Sequence, residues 1–312
     1  MKQRVFGRLG TPVSEITFGG MHLDRETLRN GISPSLLHAL ERGITSVDTA
    51  RGYGGSEAII GRTLKEWRGP RPFVATKIRP MSDKSWRHFV PLEETFTPQS
   101  IRESVETSLR ELQADRLDFV ELHQWYYLWT HRPEWLETFR SLKSEGKIAA
   151  FGISAQDHEH DALLQVVDAG LIDGLQVVFN AFESRPLTSL LPLARMRNIG
   201  VIARNVLDQG GLTGTLTREQ IESHGGLKKG PASKYLERAA ALAKIAAASG
   251  QSLLELAIRF ALTPAAVSTL TLSLDVPAYV DAALAAADRG PLDDETFSLI
   301  VQGHVWTKNF WE

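Results

Sequence analysis

The stretch Thr97-Pro98-Gln99-Ser100-Ile101-Arg102-Glu103-Ser104-Val105-Glu106-Thr107-Ser108-Leu109-Arg110-Glu111-Leu112, followed by Leu117-Asp118-Phe119-Val120-Glu121-Leu122-His123, holds the unit from which the fold is built. Thr97 fits a helix N-cap and Pro98 the first helical position, where a missing N–H costs nothing. Ile101, Val105, Leu109 and Leu112 recur along one stripe, so the segment predicts an amphipathic helix. The apolar run that follows is short enough for a strand buried on both faces. A polar residue, His123, stands at its C-terminal end.

The same unit recurs in both directions. Predicted strands are Ile16–Gly19, Thr45–Asp48, Phe73–Thr76, Leu117–Leu122, Ile148–Ile153, Leu175–Phe179, Ile199–Ala203 and Val267–Leu272. Between them, helical periods cover Ser56–Trp67, Pro133–Ser144, His160–Ala169, Pro186–Met196, Lys234–Ala248, Leu253–Leu262 and Val276–Ala287, and Ser33-Pro34 opens another helix. Eight strands alternating with helices, without a linker or composition break, predict a single α/β domain over residues 1–312, a (β/α)8 TIM barrel. The competing doubly wound open sheet lacks a Gly-x-Gly-x-x-Gly after an early strand. Arg4–Arg8 and Val13–Glu15 predict a small hairpin before the barrel, turning at Gly10-Thr11-Pro12. An aromatic C-terminal segment, Val305–Glu312, is expected to fold over the barrel mouth or to make a subunit contact.

Composition narrows the function. The 312 residues carry 35 basic and 37 acidic side chains and no Cys. This balance argues against a nucleic-acid surface. Without Cys there is no thiol catalysis and no zinc–thiolate site. No apolar run approaches the roughly 20 residues of a membrane span, and no h-region follows the basic start, so no membrane partner and a cytoplasmic location are expected.

In a barrel of this kind, functional side chains gather at the C-terminal strand ends. Asp48 ends the second strand, Lys77 follows the third and His123 follows the fourth. Tyr53 lies after the second strand within Arg51-Gly52-Tyr53-Gly54-Gly55, where glycines permit a tight turn that projects its ring. A free phenol, with a pKa of about 10, is a weak acid at neutral pH. An ammonium beside it, held by a carboxylate, is expected to lower that value, and a histidine nitrogen can donate a hydrogen bond to a carbonyl.

With these residues placed, the chain resembles the aldo-keto reductase family from about residue 4 to residue 290. The resemblance rests on Arg8-Leu9-Gly10, Ser14–Gly20, Gly43–Ala50, Tyr53-Gly54, Ser56-Glu57, Ala75-Thr76-Lys77, Leu122-His123, Glu145–Ile148, Phe151–Ser154, Gln176–Asn180 and Leu212-Thr213-Gly214. It implies a catalytic tetrad of Asp48, Tyr53, Lys77 and His123. It also implies a nicotinamide cofactor, NADP or NAD, across the mouth, with hydride passing between it and a carbonyl or alcohol and Tyr53 as general acid or base. Ser154 and Gln176 would hold the carboxamide. Arg204 and the loop through Leu212 would meet the pyrophosphate, with Asp208 close by and Gly210-Gly211 allowing backbone approach. The substrate would be a small carbonyl or sugar-like molecule, and no metal is implied.

The 2′-phosphate region departs from the family pattern. Leu272–Ala283 contains no basic residue, and Ala283 stands where an Asn is usual. Asp275 would repel a 2′-phosphate and suit ribose hydroxyls instead. Two alternatives follow: a non-redox acid–base enzyme (lyase, dehydratase or epimerase) using the same tetrad, and a regulatory barrel without turnover. The loop Gln124–His131 is expected to wall a substrate pocket, with Met21-His22 reaching the same mouth. Asp157-His158-Glu159-His160-Asp161 suggests a metal site, but two histidines two apart diverge on a helix and the acids suit a helix start.

Overall fold

The computed structural model describes residues 1–26, 28–82, 88–223 and 232–305. Two short strands, β1 (Gln3–Phe6) and β2 (Thr11–Ser14), pair antiparallel. Eight more follow: β3 (Ile16–Gly19), β4 (Ser46–Asp48), β5 (Phe73–Ile78), β6 (Leu117–Leu122), β7 (Ile148–Ser154), β8 (Gly174–Val178), β9 (Gly200–Arg204) and β10 (Thr269–Ser273). They close into a parallel barrel in chain order, with β10 returning to β3.

The α/β units form for the reasons visible in their residues. Thr97 caps the helix Pro98–Glu111 in a capping box with Ser100, and Ile101 and Val105 are buried. Ser33 caps Pro34–Glu41, and Ser252 with Glu255 boxes Leu253–Leu262. Two expected helices are shorter than their periodicity suggests. His160–Ala169 is a 3-10 turn, His160–Leu163, leading into Leu164–Asp168. Pro186–Met196 likewise splits into Arg185–Leu187 and Leu190–Met196. A further helix, Asp294–Gly303, follows the barrel, capped by Asp293. No single helix among the described residues is long and apolar enough to cross a membrane. The aromatic residues expected at the C-terminus, 306–312, lie outside the described residues.

The hairpin turns earlier than its sequence suggested. Gly7–Leu9 makes the turn and Gly10, at φ 72°, closes it, so Thr11 and Pro12 are already strand. Pro12 is tolerated because this strand is an edge, where no ladder N–H is required. The hairpin brings Phe6, fully buried, against Phe73 and Phe119 at ring-centroid distances of 5.2 and 5.1 Å. A Cβ on Gly174 or Gly200 would sit 2.7 or 2.5 Å from the Phe6 ring, so these strand positions need glycine to admit the plug.

Phe6, Val13, Phe73, Ala75, Phe119, Ala150 and Ile202 form one cluster in this end of the lumen, separate from the larger core between barrel and helices. Towards the mouth the lumen turns polar. Thr17 hydrogen-bonds Ser46 at 2.6 Å and Thr269 at 2.7 Å. Replacing Phe6 by Ala is expected to cost about 3 kcal/mol of stability, as for other large-to-small core changes. Denaturant unfolding measures the loss, and an unchanged KM checks that the plug is remote from the mouth.

Candidate active site

Lys77 lies within β5 rather than after it, because the alternation of Phe73 and Ala75 into the lumen continues one step further. Thr76, on the opposite face, donates to Glu57 at 2.6 Å. Lys77 is fully buried and Asp48 is 4% exposed. The Lys77 ammonium donates to Asp48 Oδ1 at 2.7 Å and to the Thr49 carbonyl at 2.8 Å. Its Nζ lies 5.0 Å from the centroid of the Tyr53 ring. Asp48 also accepts from Gln176 Nε2 at 2.9 Å and from Thr271 at 3.4 Å. The carboxylate that holds the ammonium is thus itself held from two further strands.

Tyr53 is positioned by its loop. Its N–H bonds the Ala50 carbonyl, its carbonyl accepts from Ser56 N–H, and Arg51 N–H bonds the Lys77 carbonyl. Arg51 pairs with Glu57, a buried acid that also takes the Thr76 hydroxyl. Both Tyr53 and His123 are half-buried, and their rings meet edge to face at 5.6 Å. The four residues expected to form a tetrad therefore come together at the end of the barrel opposite the Phe6 plug.

The electrostatics correct one expectation. Burial holds the Tyr53 phenol above its ordinary value, and Asp48 adds to this. The Lys77 and Arg204 charges and a hydrogen bond from Lys77 pull the other way without prevailing. Burial would lower Lys77, but Asp48, Tyr53 and Glu121 together hold its ammonium above the usual range. His123 is driven well below its ordinary value by burial and by the cations Lys77 and Arg204. At neutral pH the site therefore holds a neutral phenol, an ammonium and a neutral imidazole.

The residues expected to hold a cofactor are placed as follows. Ser154, at the end of β7, is in register with Gln176 on β8, and its hydroxyl makes no hydrogen bond among the described residues. Arg204, ending β9, donates to the Ala155 carbonyl at 2.8 Å and pairs with Asp157 at 2.7 Å. Its charge also acts on Tyr53 and His123, so it belongs to the site as a whole. Leu212 is fully buried and its N–H bonds the Leu207 carbonyl at 3.0 Å. Asp208 is buried and accepts from the Tyr235 hydroxyl at 2.7 Å. A Cβ on Gly211 would lie 1.8 Å from the Tyr235 hydroxyl, so the packing of Tyr235 already calls for a glycine there.

Asp275 is half-buried and makes no hydrogen bond or ion pair among the described residues. It lies two residues before Pro277–Asp288, a helix with no side-chain cap. Asp281 in that helix pairs with Arg42 and His38, and Ala283 is buried.

The aromatic loop after β6 is a plug rather than a pocket wall. Trp125, Trp129 and Trp135 are each 1% exposed and pack edge to face, because the loop folds down over Pro133–Ser144. Tyr127 and Leu128 remain outward, as do Met21 and Phe89. His158 turns to Glu183 and His160 to Asp161, so the two share no centre.

Residues 15–303 match the Aldo/keto reductase family. The chain belongs to that family. It is an NAD(P)H-dependent oxidoreductase, and this favours hydride transfer over the non-redox alternative. It is 34% identical over 197 residues to the NADH-specific methylglyoxal reductase of Escherichia coli, an alignment covering 60% of each protein, less than two thirds of that relative. L-galactose dehydrogenase of Arabidopsis thaliana is 27% identical over 95% of this chain and 92% of its own. The holo form of aldo-keto reductase AKR11C1 from Bacillus halodurans superposes with a TM-score of 0.81 at 25% identity, over 99% of both chains.

Sequence reasoning missed three participants. Thr271 and Glu121 were read only as strand residues, although period-2 alternation sends both into the lumen with Lys77. Tyr235 is 27 residues from Asp208 and carried no local signal.

Proposed function

We propose that this reductase uses NADH in preference to NADPH and reduces a small carbonyl or sugar-like compound, with Tyr53 as proton donor. The observation that carries the reading is the buried Lys77–Asp48 pair with the Tyr53 and His123 rings against it.

The cofactor, when bound, supplies a hydride to the carbonyl carbon. The negative charge that develops on the carbonyl oxygen is met by this chain's own groups. His123, neutral at physiological pH, can donate a hydrogen bond and orient the oxygen. Tyr53, protonated over the same range, gives up its phenolic proton. The phenolate that remains is stabilised by Lys77, whose charge is anchored on Asp48 and so need not reorganise. The raised phenol value keeps the acid protonated before reaction, and the lysine favours the charge only as it develops.

The Ser154 hydroxyl and Gln176 amide, side by side in register, fit a carboxamide. The β10 end fits ribose hydroxyls better than a phosphate. An uncapped helix N-terminus attracts anions, but Asp275 already supplies one there. No Lys or Arg lies between Thr269 and Asp288 to offset it. The NADH-specific E. coli relative supports the same preference.

Two measurements test this. Tyr53→Phe should lower kcat for carbonyl reduction at least ~100-fold while NADH quenching of tryptophan fluorescence keeps its Kd; a retained rate would remove Tyr53 from the chemistry. Asp275→Asn should raise the NADPH-to-NADH ratio of kcat/KM by about tenfold, the effect of one nearby charge on a phosphate. An unchanged ratio would show that Asp275 does not face the ribose.

A further inference from the structure

Glu121 stands two residues before His123 on β6. It is fully buried, and neither carboxylate oxygen has a hydrogen-bond partner among the described residues. In register it lies beside Lys77 on β5 and Gly152 on β7. Phe119, two residues earlier, packs on Phe6 and Phe73 inside the lumen. Alternation sends Glu121 into the same lumen, one step nearer the mouth. On the β7 side the glycine offers it no polar group. The charged groups that act on it are Lys77 from β5, Asp48 from β4 and Arg204 from β9. The Lys77 ammonium is already engaged by Asp48, the Thr49 carbonyl and Tyr53.

We propose that Glu121 is a positioning residue whose charge governs Lys77: as a neutral acid it leaves the ammonium to Asp48 and Tyr53, and as a carboxylate it competes with Tyr53 for it. The proposal rests on Tyr53 being the proton donor. A buried carboxylate without hydrogen bonds is strongly disfavoured. Burial accordingly pushes the Glu121 pKa up to about 8, against the opposing pull of Lys77. Below that pH the lumen holds one carboxylate, Asp48, facing the Lys77 ammonium. Above it a second carboxylate appears beneath the lysine. The ammonium is then drawn down the lumen, and the Tyr53 phenolate formed during reduction loses part of its stabilisation.

The test combines infrared spectra with rate profiles, on the full chain and on the near-isosteric Glu121→Gln variant. Wild-type protein should show the carbonyl stretch of a protonated carboxylic acid at pH 6, lost with a midpoint at about pH 8 and absent from the variant. In wild type, kcat for NADH-dependent reduction should fall by up to about tenfold through the same midpoint. In Glu121→Gln that step should vanish, with KM for NADH unchanged. Absence of the infrared band would overturn the proposal, and so would a band accompanied by identical kcat profiles. The spectra do not depend on turnover. A Tyr53→Phe variant of undiminished rate would therefore overturn the control of proton donation separately from the charge state of Glu121.

Discussion

A lysine ammonium with no exposure to water is the constraint around which this barrel is organised. Desolvating such a charge costs several kcal/mol unless its hydrogen bonds are made. Lys77 meets the condition with Asp48 and the Thr49 carbonyl, and Asp48 in turn is held by Gln176 and Thr271. These contacts join β4, β5, β8 and β10 through a single carboxylate. Barrel closure and the placement of the charge are therefore the same requirement: a strand out of register would leave a buried charge unpaired.

The lumen divides its work along the barrel axis. At the hairpin end Phe6 fills the space left by Gly174 and Gly200, and the cluster around it is wholly apolar. Thr17, Ser46 and Thr269 form a hydroxyl layer above it. The ionisable groups lie beyond that layer. Water is excluded from below by packing and from the side by the strands, so charges at the mouth act through a medium of low polarity, where they are stronger than in water. The neutral state of His123 and the protonated state of Tyr53 both follow from this arrangement.

Much of this was legible in the residues. Ile16–Gly19 and Leu117–Leu122 form with the bounds their composition suggests, and Thr97-Pro98 starts a helix as expected. Asp48, Tyr53, Lys77 and His123 could be grouped because the strand ends of a barrel converge, whatever the loops between them. The failures share a cause. The Trp125–Trp135 packing and the Asp208–Tyr235 bond depend on how loops fold against distant segments, and no local period encodes that. The Tyr53 pKa was misjudged in the same way: the nearby ammonium is readable in sequence order, whereas the burial that outweighs it belongs to the assembled fold.

In the proposed reaction this site passes a hydride to a carbonyl carbon while Tyr53 supplies the proton. It is tested most directly by following the label when a small carbonyl compound is offered together with NADH dideuterated at C4. The product alcohol should carry one deuterium on the former carbonyl carbon and form only when nucleotide is present. Product carrying solvent hydrogen alone at that carbon, or conversion without nucleotide, would contradict it.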